Sequence, residues 1–200
     1  MRKTTTQALT VLLVAAAALA ACSVGAPFVR PTQDSIELGK TTYRQLVERL
    51  GKPEDEKPTR LDGVQMRLVA WSYANNADPP KVPDTLGMRQ LEYLVANDVV
   101  VAERFASSFA SDHTDFDEKE VASIVEGKTR CEQVVALLGR PSVRAIHPVA
   151  DKEGDTAIGY IFLYAKRPLL QFNIYSKTLV VQCGPDGVAR SVKFTEEGTP

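Results

Sequence analysis

The stretch Gly39-Lys40-Thr41-Thr42-Tyr43-Arg44-Gln45-Leu46-Val47-Glu48-Arg49-Leu50-Gly51-Lys52-Pro53 decides the fold, because its first three residues can be read in two ways. As the end of a phosphate-binding loop, Gly-Lys-Thr would make the chain a nucleotide hydrolase. That loop needs a glycine five residues before Gly39, so that backbone amides can curl around phosphate. The position holds Asp34, whose carboxylate would repel the ligand. The alternative lies further along the chain. Residues 124–141 align with residues 36–53 without a gap, and nine of the eighteen positions are identical, among them the Gly-Lys-Thr and the closing Gly-x-Pro. The chain therefore reads as an internal duplication, with Gly-Lys-Thr opening a short helix in each copy.

The helix signals agree in both copies. Thr41 and Thr129 are the expected N-caps; Glu132 offers Thr129 a capping box, and Gln45 offers Thr42 a near equivalent. Gly51 and Gly139 suit the left-handed residue after a helix, and Pro53 and Pro141 prevent its continuation. Tyr43, Leu46, Val47 and Leu50 form an apolar stripe at helical spacing, matched by Cys131, Val134, Val135 and Leu138. Short helices are also predicted ahead of each, over 33–38 and 117–126. Alternation and turn residues predict strands over 64–74, 91–96 and 99–105, then over 156–165, 177–183 and 188–194, with an extra one over 169–175. The hairpins turn at Asn97-Asp98 and at Pro185-Asp186-Gly187, so Asp98 maps onto Asp186. The expected fold is α+β: two tandem α-α-β-β-β repeats, over 33–109 and 121–197, joined by a linker over 110–120, with helices packed on antiparallel sheets.

Helix, G-K-T-x-x-[QE]-V-x-x-x-L-G-x-P, a W-x-Y or F-x-Y strand and a hairpin with a D-G-type turn together resemble the SmpA/OmlA (BamE-like) outer-membrane lipoprotein domain. The tandem arrangement is similar to the fold of the β-lactamase inhibitor protein. The resemblance covers residues 33–197. It implies a periplasmic scaffold acting in outer-membrane protein assembly or envelope integrity, with the barrel-assembly machinery as partner. The second likeness implies an inhibitor or regulator of a periplasmic enzyme.

The N-terminus points to the same compartment. Arg2 and Lys3 precede an apolar run of alanine, valine and leucine, followed by small residues, the pattern of a bacterial secretory signal. The run ends Leu19-Ala20-Ala21-Cys22, which resembles a lipobox and implies cleavage before Cys22 and its acylation, palmitate included. Several acyl chains give stable attachment where one would be marginal. Ser23 in place of aspartate implies sorting to the outer membrane. Residues 1–21 are thus the signal peptide and 22–32 an extended tether, which at about 3.3 Å per residue reaches about 36 Å.

Composition sets outer limits on function. Formal charge is −1, and −3 once residues 1–21 are removed, so nucleic acid is not an expected partner. His113 and His147 stand alone, and Asp112, Asp115, Asp117 and Glu118 lack the glycine and final glutamate of a calcium loop; no metal is expected. Such acidic residues more often open a helix. There is no nucleophile elbow, S-x-x-K or H-E-x-x-H, so no enzyme activity and no cofactor is expected.

Two features carry the site expectations. Cys131 lies on the second helix stripe and Cys183 on the strand face shared by Leu179 and Val181. In an oxidising compartment they either form a disulfide or stay as buried thiols. The strands carry apolar residues on both faces: Tyr160, Phe162 and Tyr164 against Ile161, Leu163 and Ala165, and Val69, Trp71 and Tyr73 against Val64, Met66, Leu68 and Ala70. A sheet with one wet face alternates apolar with polar. The second face is therefore either covered by the other repeat, the linker or the tether, or offered to a protein partner. In the latter case Trp71, Tyr73, Tyr160 and Tyr164 are the expected anchors.

Overall fold

A computed structural model describes residues 24–166 and 173–199. The signal peptide, Cys22 and part of the extra strand expected over 169–175 lie outside these residues.

The local role of each conserved letter in the duplicated stretch is visible. Gly39 and Gly127 take positive φ (81° and 74°), the region glycine enters without penalty. Thr41 and Thr129 do not cap the helices. Their hydroxyl oxygens accept the backbone N–H groups of Glu37 (2.9 Å) and Val125 (2.8 Å), tying off the turn one residue too early to cap. The cap of helix α1 (Tyr43–Leu50) is Thr42, which forms a capping box with Gln45. Helix α2 (Cys131–Leu138) starts at Arg130, which has no side-chain oxygen to give; Gln133 nevertheless accepts the Arg130 N–H at 2.8 Å. The shared glutamine therefore serves the same purpose in both. Gly51 and Gly139 close the helices by donating to Val47 and Val135.

The turn then docks on a strand. Gly39 donates to the Val100 carbonyl and Val100 donates back to Thr41; Gly127 and Ala189, and Ala189 and Thr129, repeat both bonds. Tyr43 donates to Asp98 and Cys131 to Gly187. The structural counterpart of Asp98 is therefore Gly187, not Asp186, because the second hairpin turn is one residue longer.

The expected assembly of two α-α-β-β-β repeats on separate sheets is overturned. The strands among the described residues form one eight-stranded antiparallel sheet in the order β1-β2-β3-β4-β5-β6-β7-β8. Their ranges are β1 (Asp55–Leu61), β2 (Val64–Asn75), β3 (Gly87–Ala96), β4 (Val99–Ser107), β5 (Val143–Ile146), β6 (Thr156–Lys166), β7 (Asn173–Cys183) and β8 (Ala189–Glu197). The segments expected as leading helices shrink to 3-10 turns, Gln33–Ser35 and Glu118–Ser123. Each α-helix is only eight residues long, too short to stand without packing. The extra strand over 169–175 is not separate: its described end, from Asn173, is the start of β7.

Two strands hidden from sequence make the difference. β1 bears Glu56, Lys57, Pro58 and Arg60 and pairs with β2 from Asp55↔Ala70 to Leu61↔Val64. β5 joins the halves through three pairs on β4 (Ala102↔Ala145, Glu103↔Arg144, Arg104↔Val143) and four on β6. Ser142 braces this narrow waist: its carbonyl accepts from Phe105 N–H (2.7 Å) and its hydroxyl accepts from Ile161 N–H (2.6 Å).

One face of the sheet carries both helices and both main cores. Ile36 and Leu46 pack on Val69, Trp71, Leu91, Tyr93 and Phe105 in the first half. Val134, Phe116 and Ile124 pack on Tyr160, Leu179 and Val181 in the second. The linker and the N-terminal segment lie on this same face. Residues 24–32, read as an extended tether, are pinned to the protein: Val24 and Ala74 exchange backbone bonds at 2.9 Å, Phe28 packs on the first core, and Arg140 donates to Pro31.

Candidate functional site

Trp71, Tyr160 and Tyr164 are not surface anchors. Each is no more than 6 % exposed, because the helix face that they occupy is the covered one. Trp71 meets Tyr93 edge-on with ring centres 6.2 Å apart, Tyr160 donates to the Gly139 carbonyl at 3.0 Å, and Tyr164 packs 5.1 Å from Tyr175. Burial raises the pKa of both Tyr160 and Tyr164. Tyr73 is half-buried, stacked on Phe109 with its hydroxyl accepting from Asn75. These aromatics brace the core, where the size that makes a good anchor also makes a good filler.

Cys131 and Cys183 are joined in a disulfide, with Cα atoms 6.2 Å apart. The bond staples the first turn of α2 to the end of β7, where Cys131 and Cys183 are both buried.

Among the described residues, the opposite face of the sheet carries no helix. Its floor is small: Ala70, Ala102, Ala106, Ala145, Ala157 and Gly159 are buried. Val149 and Ala150, from the loop after β5, cover the alanines at the waist. Leu94 packs under that loop, and Leu68, Ile161, Leu163 and Val180, on either side of it, are half-buried. Arg104 crosses the middle, paired with Glu92 at 3.2 Å and donating to Gln90 at 2.9 Å.

A polar hub missed at the level of sequence occupies the waist on the helix face. Glu103 is buried, its side chain 1 % exposed. Arg30 reaches its Oε1 with Nε (3.2 Å) and Nη2 (3.0 Å), and Arg144 forks onto Oε2 through Nε (3.1 Å) and Nη2. Burial lowers the Arg30 pKa below its ordinary value, and the Glu103 charge opposes that shift. The hub joins three distant pieces of chain, namely the N-terminal segment, β4 and β5. The one signal for it in the sequence is a glutamate at an inward position of a strand rich in valine and alanine.

A second buried pairing locks the linker. Lys177 on β7 bonds Asp115 (2.8 Å) and Glu118, so the acidic cluster is a set of partners for one lysine as well as a turn opening. Burial alone would lower the Lys177 pKa, but the two carboxylates outweigh it and the net shift is upward. Among the described residues no group of three or more His, Cys, Asp and Glu side chains could hold a metal ion. No described helix is long and apolar enough to cross a membrane.

No family model matches the chain, and no curated protein matches it. Among solved structures it is similar to a Streptococcus mutans protein described as a "putative beta-lactamase inhibitor protein". The TM-score is 0.43 at 13 % identity, over 78 % of this chain and 82 % of that one.

Proposed function

We propose that this protein is a non-catalytic lipoprotein of the bacterial outer membrane that faces the periplasm and holds a protein partner on the bare face of its sheet. The observation that carries the reading is the one-sided build. Both helices, the linker and the N-terminal segment all pack on one face, while Leu68, Ile161, Leu163 and Val180 on the other are only half-buried among the described residues. A monomer with no use for that face would gain by making it polar.

The signal-like N-terminus and Cys22 support the lipid anchor, and the Cys131–Cys183 bond fits an oxidising compartment. Val24 is already fixed to Ala74 on β2, only two residues after Cys22. An acylated Cys22 would therefore hold that end of the sheet within about 7 Å of the lipid headgroups, with little freedom to swing. A role in outer-membrane protein assembly follows from the SmpA/OmlA-like motif alone.

Labelling cells with radioactive palmitate tests the anchor: label in the wild type and none in Cys22→Ala supports it, and an unlabelled wild type ends it. Crosslinking in membranes followed by co-purification tests the partner. Recovery of barrel-assembly subunits supports the assembly role, whereas a soluble periplasmic enzyme as the main prey would replace it with inhibition of that enzyme.

A further inference from the structure

A cleft of about 370 Å³ opens on the helix face beside the waist, within the size range of small-ligand sites. Val29, Phe105, Leu138 and Tyr160 give it apolar walls, and Arg30, Arg140 and residues 112–115 give it polar ones. The charges around it can be assigned one by one. Arg30 and Arg144 share Glu103. Arg89 holds Asp112 at 2.8 Å, and Lys177 holds Asp115 and Glu118. Counting Arg140, five cations face four carboxylates in this set, so one positive charge is left over.

That surplus sits on Arg140. Its nearest carboxylate oxygen, Glu103 Oε1 at 3.9 Å, already accepts two N–H groups from Arg30. Nη2 donates to the Pro31 carbonyl at 2.6 Å, and its other N–H groups have no acceptor among the described residues. The side chain is 37 % exposed while Arg30 and Arg144 are 11 % and 14 % exposed. A guanidinium held in place by one backbone bond, beside two other arginines and above an apolar wall, gains from an anion more than from water.

We infer that this cleft binds an organic carboxylate with an apolar body, the carboxylate on the free edge of Arg140 and the body against Phe105, Leu138 and Val29. Such a group is carried either by a free acid or by a glutamate between apolar residues of a peptide. The inference does not rest on the bare sheet face, which lies across the sheet from the cleft.

The test is an amide NMR titration of the mature protein with 3-phenylpropionate and, separately, with its neutral analogue 3-phenylpropanamide. The acid should shift signals of Val29, Thr114, Leu138 and Arg140, and should bind at least about tenfold more tightly than the amide, the worth of one charge-assisted bond. Arg140→Gln should lose that preference while staying folded, with a melting temperature within a few degrees of the wild type despite losing the bond to Pro31, and Arg140→Lys should recover part of the preference. Equal binding of acid and amide, undiminished binding by Arg140→Gln, or no shifts in the cleft would overturn the inference. A capped Leu-Glu-Leu peptide separates the sources: shifts at the same residues mean that a partner's side chain supplies the carboxylate, and shifts with the free acid alone mean a small-molecule ligand.

Discussion

Glu103 is the residue on which most of the molecule converges. Its carboxylate is out of water, so its charge is tolerable only because Arg30 and Arg144 occupy both oxygens. Removing one partner of such a pair leaves the others buried and uncompensated. Glu103→Gln should therefore cost about 3 kcal/mol or more in urea unfolding, and a loss below about 1 kcal/mol would mean that the hub is not holding the waist. The same substitution should free the N-terminal segment, giving faster proteolytic clipping between Val24 and Thr32. Glu118 makes a separate case. Its pKa is lowered from 4.5, first by the hydrogen bond from Lys177 and then by a backbone N–H. The stability it adds is complete above pH 4.5 and is lost as pH falls through the lowered value. Denaturant titrations across that range should show a shallower acid loss for Glu118→Gln than for the wild type, and matching curves would remove Glu118 from the acid response. The sequence marks Glu118 only as an acidic residue opening a helix and gives no partner for either carboxylate, since an ion pair depends on which chain segments meet, and the partners of Glu103 lie 73 and 41 residues away.

The elements divide by how far local chemistry determines them. Helix α1 is written in its own residues: the Thr42–Gln45 box, the apolar stripe and Gly51 are all local, and the expected helix is found. Thr42→Ala should cost about 1 kcal/mol by thermal unfolding, whereas Thr41→Ala should loosen the preceding turn without shortening the helix by circular dichroism. The threonine of Gly-Lys-Thr was assigned one step wrong because either hydroxyl satisfies the sequence rule, and only the direction of the turn chooses. Strands β2, β3, β4, β6, β7 and β8 are legible through alternation and β-branched content. β1 was not, since its burial pattern is almost entirely exposed and it carries a proline. Those same features suit an edge strand, where charge and proline block pairing with another chain. β5 was not legible either, because four residues give no period to read. The disulfide was legible because helix stripe and strand face each point inward. Its loop spans 52 residues, which on the chain-entropy model is worth about 4 kcal/mol. Reduction under native conditions should lower the unfolding free energy by roughly that amount, and a change below about 1 kcal/mol would show that packing alone fixes α2.

At the scale of the whole molecule, the duplicated pattern predicts two sheets, and the structure has one. Each half exposes an edge, β4 in the first and β5 in the second, and the two edges satisfy each other through three residue pairs and the Ser142 brace. No local pattern announces such a junction, because it is a relation between halves. The single sheet also decides which face is covered. Both strand faces look apolar in sequence, and large aromatics drew attention to Trp71, Tyr73, Tyr160 and Tyr164. The helices, the linker and Val82 from the loop after β2 instead cover that face and leave the smaller residues on the other, with Ile161 and Leu163 half-buried. Lys substituted at Ile161 should leave the melting temperature within a few degrees of wild type, since the side chain is only partly buried, and should abolish capture of the partner. The most direct test replaces Ile161, Leu68 or, on the outer side of α2, Leu137 with a photo-crosslinking amino acid in living cells. A discrete adduct from Ile161 and Leu68 but not from Leu137 is the predicted result. Adducts from Leu137 alone, or from none of the three positions, would contradict a protein that works through its bare sheet face.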